Sequence, residues 1–139
     1  MRIYVSGPMR GLPAFNHPAF ERAACALRGQ GHEVFSPQEK NEADGFDFTS
    51  MSGTEDLAEI GFDLRRSLAL DLGWICAEAE AVVALPGWRS SRGARAEVAT
   101  ALALDLPVWP AKAFLLAGAD APKIGTAERL VALFGREPE

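Results

Sequence analysis

Arg2-Ile3-Tyr4-Val5-Ser6-Gly7-Pro8-Met9-Arg10-Gly11 begins as a strand and breaks on a turn. The β-branched and aromatic side chains favour extended backbone, and Gly7, Pro8 and Gly11 permit or impose an abrupt change of direction. The same grammar recurs at Ala81-Val82-Val83-Ala84-Leu85, closed by Pro86-Gly87, and at Glu33-Val34-Phe35, closed by Ser36-Pro37. Between the first two strands, Asn16-His17-Pro18 offers a capping residue and an early proline. Phe20, Ala23, Ala24 and Leu27 then recur at helical spacing until Gly29 and Gly31.

Working outward, Leu64, Leu68, Leu72, Ile75 and Ala79 form an apolar stripe that predicts a core-facing helix from Asp63 to about Glu78. A further helix runs from Gly93 to about Leu104, followed by a short strand from Pro107 to Trp109 and one or two helical segments before a charged tail. From Ser36-Pro37 to about Phe62 the chain is acidic and weakly periodic, which predicts a loop or lid, with room for a short helix at Glu55 to Ile60. Strands alternating with helices predict a three-layer α/β/α sandwich with a mostly parallel, flavodoxin-like (doubly wound) sheet of four to five strands. In such sheets ligands bind beyond the C-terminal strand ends, so the loops Gly7 to Gly11 and Pro86 to Gly93 are expected to face one crevice.

With 139 residues, 48% hydrophobic and 24% charged, the chain reads as a single globular domain over 1–139. A net charge of -5 argues against a nucleic-acid polymer as partner, since such binding rests on cations neutralising phosphates. A single nucleotide or nucleoside remains open. Nothing resembles a membrane span or a signal peptide, so a cytoplasmic location is expected. Cys25 and Cys76 are far apart and are expected to be buried small hydrophobes, and His17 and His32 stand alone; no metal site and no cofactor is expected.

Four features carry chemistry. Ser6, Gly7, Met9, Arg10 and Gly11 combine a hydroxyl, exposed amides and a guanidinium in one turn, a set suited to phosphate, although the turn matches neither G-x-G-x-x-G nor the P-loop. Ser90 or Ser91 caps a helix whose amides attract an anion, with Arg89 and Arg92 adding charge. Glu97 lies less than two turns into that helix and points back to its N-terminus, where Gly93, four residues earlier, leaves space for a sugar. Asp71 interrupts the apolar stripe of the preceding helix, and paired carboxylates are the usual equipment of glycosyl chemistry. A surface Glu97 paired with Arg92 or Arg95, and a structural Asp71 bonding a neighbouring loop, Arg65 or Arg66, are the plainer alternatives. Tyr4 is placed to reach Glu97, and Trp88, Phe46 and Phe48 are candidates to stack on a base.

Taken together, Ile3 to Gly11, Asp71-Leu72-Gly73-Trp74, and Leu85-Pro86-Gly87-Trp88 with Ser90 to Glu97 resemble an uncharacterised family frequent in phages and bacteria. It is grouped with the nucleoside 2-deoxyribosyltransferases and is similar to the 2'-deoxynucleoside 5'-phosphate N-hydrolases. The resemblance covers roughly residues 2 to 110. It implies that Glu97 attacks C1' of the sugar, that Asp71 assists, that Tyr4 orients the glutamate, and that Gly7 to Gly11 with Ser91 hold a 5'-phosphate. It also implies a homodimer or higher homo-oligomer, and it places Glu80 where those relatives carry aspartate.

The expectation is therefore hydrolysis of the N-glycosidic bond of a (deoxy)nucleoside 5'-monophosphate, without metal or cofactor. Base exchange between nucleosides, ribonucleotide hydrolysis, NAD cleavage and a nucleotide-binding regulatory module without turnover are the rivals.

Overall fold

The computed structural model describes residues 1–125. Four strands, β1 (Arg2–Ser6), β2 (Glu33–Phe35), β3 (Ala81–Ala84) and β4 (Val108–Pro110), pair in parallel in the order β2-β1-β3-β4. The helices are α1 (His17–Gly29), α2 (Pro37–Ala43), α3 (Leu64–Ala77), α4 (Arg92–Ala103) and α5 (Ala111–Ala117). The result is a three-layer α/β/α arrangement with the doubly wound, flavodoxin-like order that the alternation of elements predicts.

Alternation along β1 assigns the layers. Ile3 and Val5 point to one face and pack with Phe20 and Leu27 of α1 and Phe114 of α5. Tyr4 points to the other, with Ile75 of α3 and Ala94, Val98 and Ala101 of α4. Whatever α4 holds above β1 is thus met by even-numbered side chains. The chain leaves β1 for β2 on one side and returns to β3 on the other, so the switch in strand order lies between β1 and β3. There the turns after both strands are stitched together, with the Leu85 amide donating to the Ser6 carbonyl at 2.8 Å.

Gly7 is required at that seam, because a Cβ would fall 2.7 Å from the Cβ of Leu85. Gly7→Ala should therefore force the two turns apart and lower stability by about 1–3 kcal/mol, read as a lower urea midpoint.

Several expectations are corrected. Residues after Ser36 form α2 rather than loop, and the reason is chemical: this short helix buries Pro37, Gln38 and Asn41, so no apolar stripe announces it. Glu55 to Ile60 is not helical; Asp56 instead caps a turn by accepting from the Ala58 and Glu59 amides. The stretch between α2 and α3 is held by rings, Phe48 lying 4.8 Å from Phe15, 5.6 Å from Phe46 and 5.8 Å from Phe62 between centroids. The stripe of α3 enters the core only at its C-terminal end: Ile75 is buried, whereas Leu64 is 60% exposed. Asn16 holds the N-cap position of α1 as expected, but at φ +62° its side chain donates to the Pro8 carbonyl at 2.9 Å instead of bonding the helix. Cys25 and Cys76 are both exposed rather than buried, being carried on the outer faces of α1 and α3. The charged tail lies outside the described residues, among which no helix is long and apolar enough to cross a membrane.

Candidate active site

Beyond the C-terminal ends of β1 and β3 opens a cavity of about 880 Å³. Its walls come from the turns after both strands, the first turns of α4, one side of α3, α2, and the aromatic stretch from Phe48 to Phe62. A Rossmann-like sheet with a cleft at its switch point is the arrangement nucleotide-binding modules use.

Glu97 reaches this cleft from the buried side of α4 and is only 6% exposed. Tyr4 and Ser6 stand two residues apart on the same face of β1, and both hydroxyls donate to it. The Tyr4 phenol meets Oε2 at 2.8 Å and the Ser6 hydroxyl meets Oε1 at 2.7 Å. Strand period and helix period together therefore fix one carboxyl in two directions. Ser91 caps α4 by accepting from the Ala94 amide at 3.2 Å, and Gly93 lines the cleft with nothing among the described residues within 4 Å of where its Cβ would be.

Asp71 enters the same cleft from α3 and is also buried. Its partner is neither Arg65 nor Arg66 but Lys40 of α2, whose Nζ lies 2.7 Å from Asp71 Oδ1 and 2.7 Å from the Ser67 hydroxyl. Glu97 likewise pairs with neither Arg92 nor Arg95; its hydrogen-bond partners among the described residues are the two hydroxyls.

Burial dominates the electrostatics. It pushes the Glu97 carboxyl up to about 8, against the Ser6 hydrogen bond, with the neighbouring charge of Asp71 adding to the rise. Asp71 is also raised by burial, which Lys40 opposes. Burial and the adjoining carboxyls keep Tyr4 protonated far into the alkaline range, so it remains a donor. Around neutral pH the burial of Glu97 therefore favours its protonated form. Ser6→Ala removes one of the two donors that favour the carboxylate, so Glu97 should titrate at still higher pH, a shift readable from the carboxyl resonance in carbon-13 NMR.

The turn after β1 serves several ends. Gly7, Met9 and Arg10 line the cleft, and the Arg10 guanidinium is held there by the Glu55 carbonyl at 3.1 Å. Ser6 faces Glu97 rather than a phosphate, and the Gly11 amide donates to the Gly53 carbonyl at 2.8 Å; both are corrections to a purely phosphate-binding turn. Ser90, Ser91, Arg92 and Gly93 line the cleft at the start of α4. Of the aromatic candidates, Phe48 reaches the cleft. Trp88 does not, because its ring is buried among Ala94, Val98 and their neighbours with Arg89 over its face, and Phe46 packs behind Phe48 and Phe62. Glu80 lies away from the cleft, accepting from the Arg2 amide at 2.9 Å.

Lys40, Asn41, Ser67, Phe15 and Phe62 belong to the site and escape the sequence reading. Only Ser36-Pro37, a helix start, hinted at two of them.

A family model described as a domain of unknown function (DUF4406) matches residues 1–109, a span that contains every residue lining the cleft. No curated protein matches the chain.

Proposed function

The chain belongs to the DUF4406 family, and we propose that it is an N-glycosidase acting on a (deoxy)nucleoside 5'-monophosphate, with Glu97 as the group that bonds to the sugar. The observation that carries this reading is the pair of buried carboxyls, Glu97 and Asp71, lining one cleft with Glu97 fixed by Tyr4 and Ser6. Asp71 has Lys40 beside it, but among the described residues Glu97 is met only by hydroxyls; a structural acid is seldom buried without a cation, whereas a nucleophile must be held in place, shielded from water and placed at an opening. The likeness of the three motifs to the nucleoside 2-deoxyribosyltransferase group supports the same chemistry.

In this mechanism the C1'–N bond breaks with its electron pair passing to the base, and a Glu97 oxygen closes on C1' to form an ester. The proton that Glu97 holds at rest balances the step, leaving for the departing base, with Asp71 as the adjacent carboxyl through which it can pass. Water then adds to C1', the ester breaks, and Glu97 recovers a proton. Arg10, Arg92 and the first amides of α4 suit a 5'-phosphate, so that binding energy remote from C1' positions the reacting carbon.

Incubation with deoxy- and ribonucleoside monophosphates, followed by chromatography of free base, tests the proposal. Release of base with sugar phosphate as co-product is the expected outcome. Capture of the sugar by an added free base would move the assignment to base exchange. Nucleotide binding with no base release anywhere in the panel would leave a regulatory binding module.

A further inference from the structure

Asn41 is 2% exposed, yet it lines the cleft, and its Oδ1 has no hydrogen-bond partner among the described residues. A buried amide oxygen without a partner is unfavourable in the folded protein unless something else completes it. The neighbours suggest what that is. Phe15, Phe48 and Phe62 bring three rings to the same cleft, with Phe48 4.8 Å from Phe15 and 5.8 Å from Phe62 between centroids. Phe15 is set there by three consecutive left-handed residues, Ala14, Phe15 and Asn16, at φ +55°, +50° and +62°. Such a run is strained for residues other than glycine and persists only where the surrounding packing over-determines it. Next to Asn41 in α2, Lys40 holds Asp71 of α3, so one short helix both carries the amide and braces one of the two carboxyls at the cleft.

We propose that Asn41 is a specificity residue that pairs edge-on with the leaving base, against a wall formed by the phenylalanines. The ligand class follows from the amide itself: one acceptor beside two donors in a plane complements a heterocycle edge with an N–H next to a carbonyl or ring nitrogen. A pyridinium ring or a sugar phosphate alone presents no such edge. The inference rests on the glycosidase reading only for the substrate's sugar and phosphate; base recognition can be measured without turnover.

Glu97→Gln provides the non-reacting host. Its affinity for the four common deoxynucleoside 5'-monophosphates and for 2-deoxyribose 5-phosphate is measured by calorimetry, alone and combined with Asn41→Leu or Asn41→Asp. Asn41→Leu should weaken the best-bound nucleotide about tenfold or more, equivalent to about 1.4 kcal/mol, and leave 2-deoxyribose 5-phosphate unchanged. Asn41→Asp, an acceptor only, should shift the order of preference toward the guanine nucleotide, whose edge offers two adjacent donors. Equal weakening of nucleotide and sugar phosphate, an unchanged order of preference, or no nucleotide binding by the Glu97→Gln host would each overturn the assignment. Base release that survives intact in Asn41→Leu with unchanged KM would overturn it while leaving the glycosidase standing. Nucleotide affinity that depends on Asn41 in a protein that never releases base would do the reverse.

Discussion

Glu97→Gln should abolish base release, by at least about 10³-fold, while yielding a protein more stable than the parent at pH 8. The two effects share one cause. The Glu97 carboxyl is held up to about 8 in the fold, chiefly by burial, against an ordinary value of 4.5. Between those values the folded chain keeps a proton that the unfolded chain releases. Stability from this group is therefore greatest below about pH 4.5, falls as pH rises, and reaches its floor above about pH 8, where the buried carboxylate is charged in both states. At about 1.4 kcal/mol per pH unit the loss amounts to a few kcal/mol. Glutamine keeps one acceptor oxygen and turns an amide N–H to the other hydroxyl, which can rotate to accept it; it fills nearly the same volume and never ionises. The difference in Tm between variant and parent should widen from about pH 5 to about pH 8 and then stay constant. Melting curves whose difference ignores pH would mean that Glu97 is not protonated in the fold, and the proton balance proposed for the reaction would go with it.

A site that lowers stability in this way is where sequence and fold are expected to disagree, and the pattern of what could be read follows. Tyr4 and Glu97 were legible because each sits on a regular element whose period is fixed: two residues per repeat on β1 decide which side chains meet α4, and 3.6 on α4 decides that Glu97 shares the inward face with Ala94 and Val98. The parallel sheet with helices on both faces followed from the alternation of strands with helices. α2 was illegible because hydrophobic periodicity is the signal for a buried helix, and this helix buries Gln38 and Asn41. Lys40 was hidden with it. Trp88 was misplaced for a different reason. It belongs to the turn that forms the cleft, but Gly87 at φ +85° rolls the following turn so that the ring enters the core. Sequence position put it at the site, and a backbone torsion took it away. Cys25 and Cys76 lie off the stripes of Phe20, Ala23, Ala24 and Leu27 and of Leu64, Leu68, Leu72 and Ile75, so the helix period itself turns both outward.

Lys40→Met carries the other large effect, and it separates a supporting cation from an incidental one. With side chains 14% and 8% exposed, Lys40 and Asp71 form a pair 2.7 Å apart whose members have each lost most of their water. Removing one partner leaves the other charge buried without compensation, a change that costs about 3–5 kcal/mol when no relief exists. Relief does exist here, because Asp71 can take a proton. Burial already raises it, and without Lys40 it rises further, so the loss should be small below about pH 4 and grow with pH until the folded carboxyl ionises. Chemical denaturation of Lys40→Met at pH 4 and pH 8 reads this directly. Lys40→Met combined with Asp71→Asn should recover most of the loss at pH 8, since a neutral amide has no charge to strand. Lys40→Arg should keep stability better than Lys40→Met but not fully, for a planar fork cannot reproduce the compact contact with both Ser67 and Asp71. Should Lys40→Met cost the same at both pH values, the lysine would be acting through its packed methylene chain, and Asp71 would owe its charge state to other groups in the cleft.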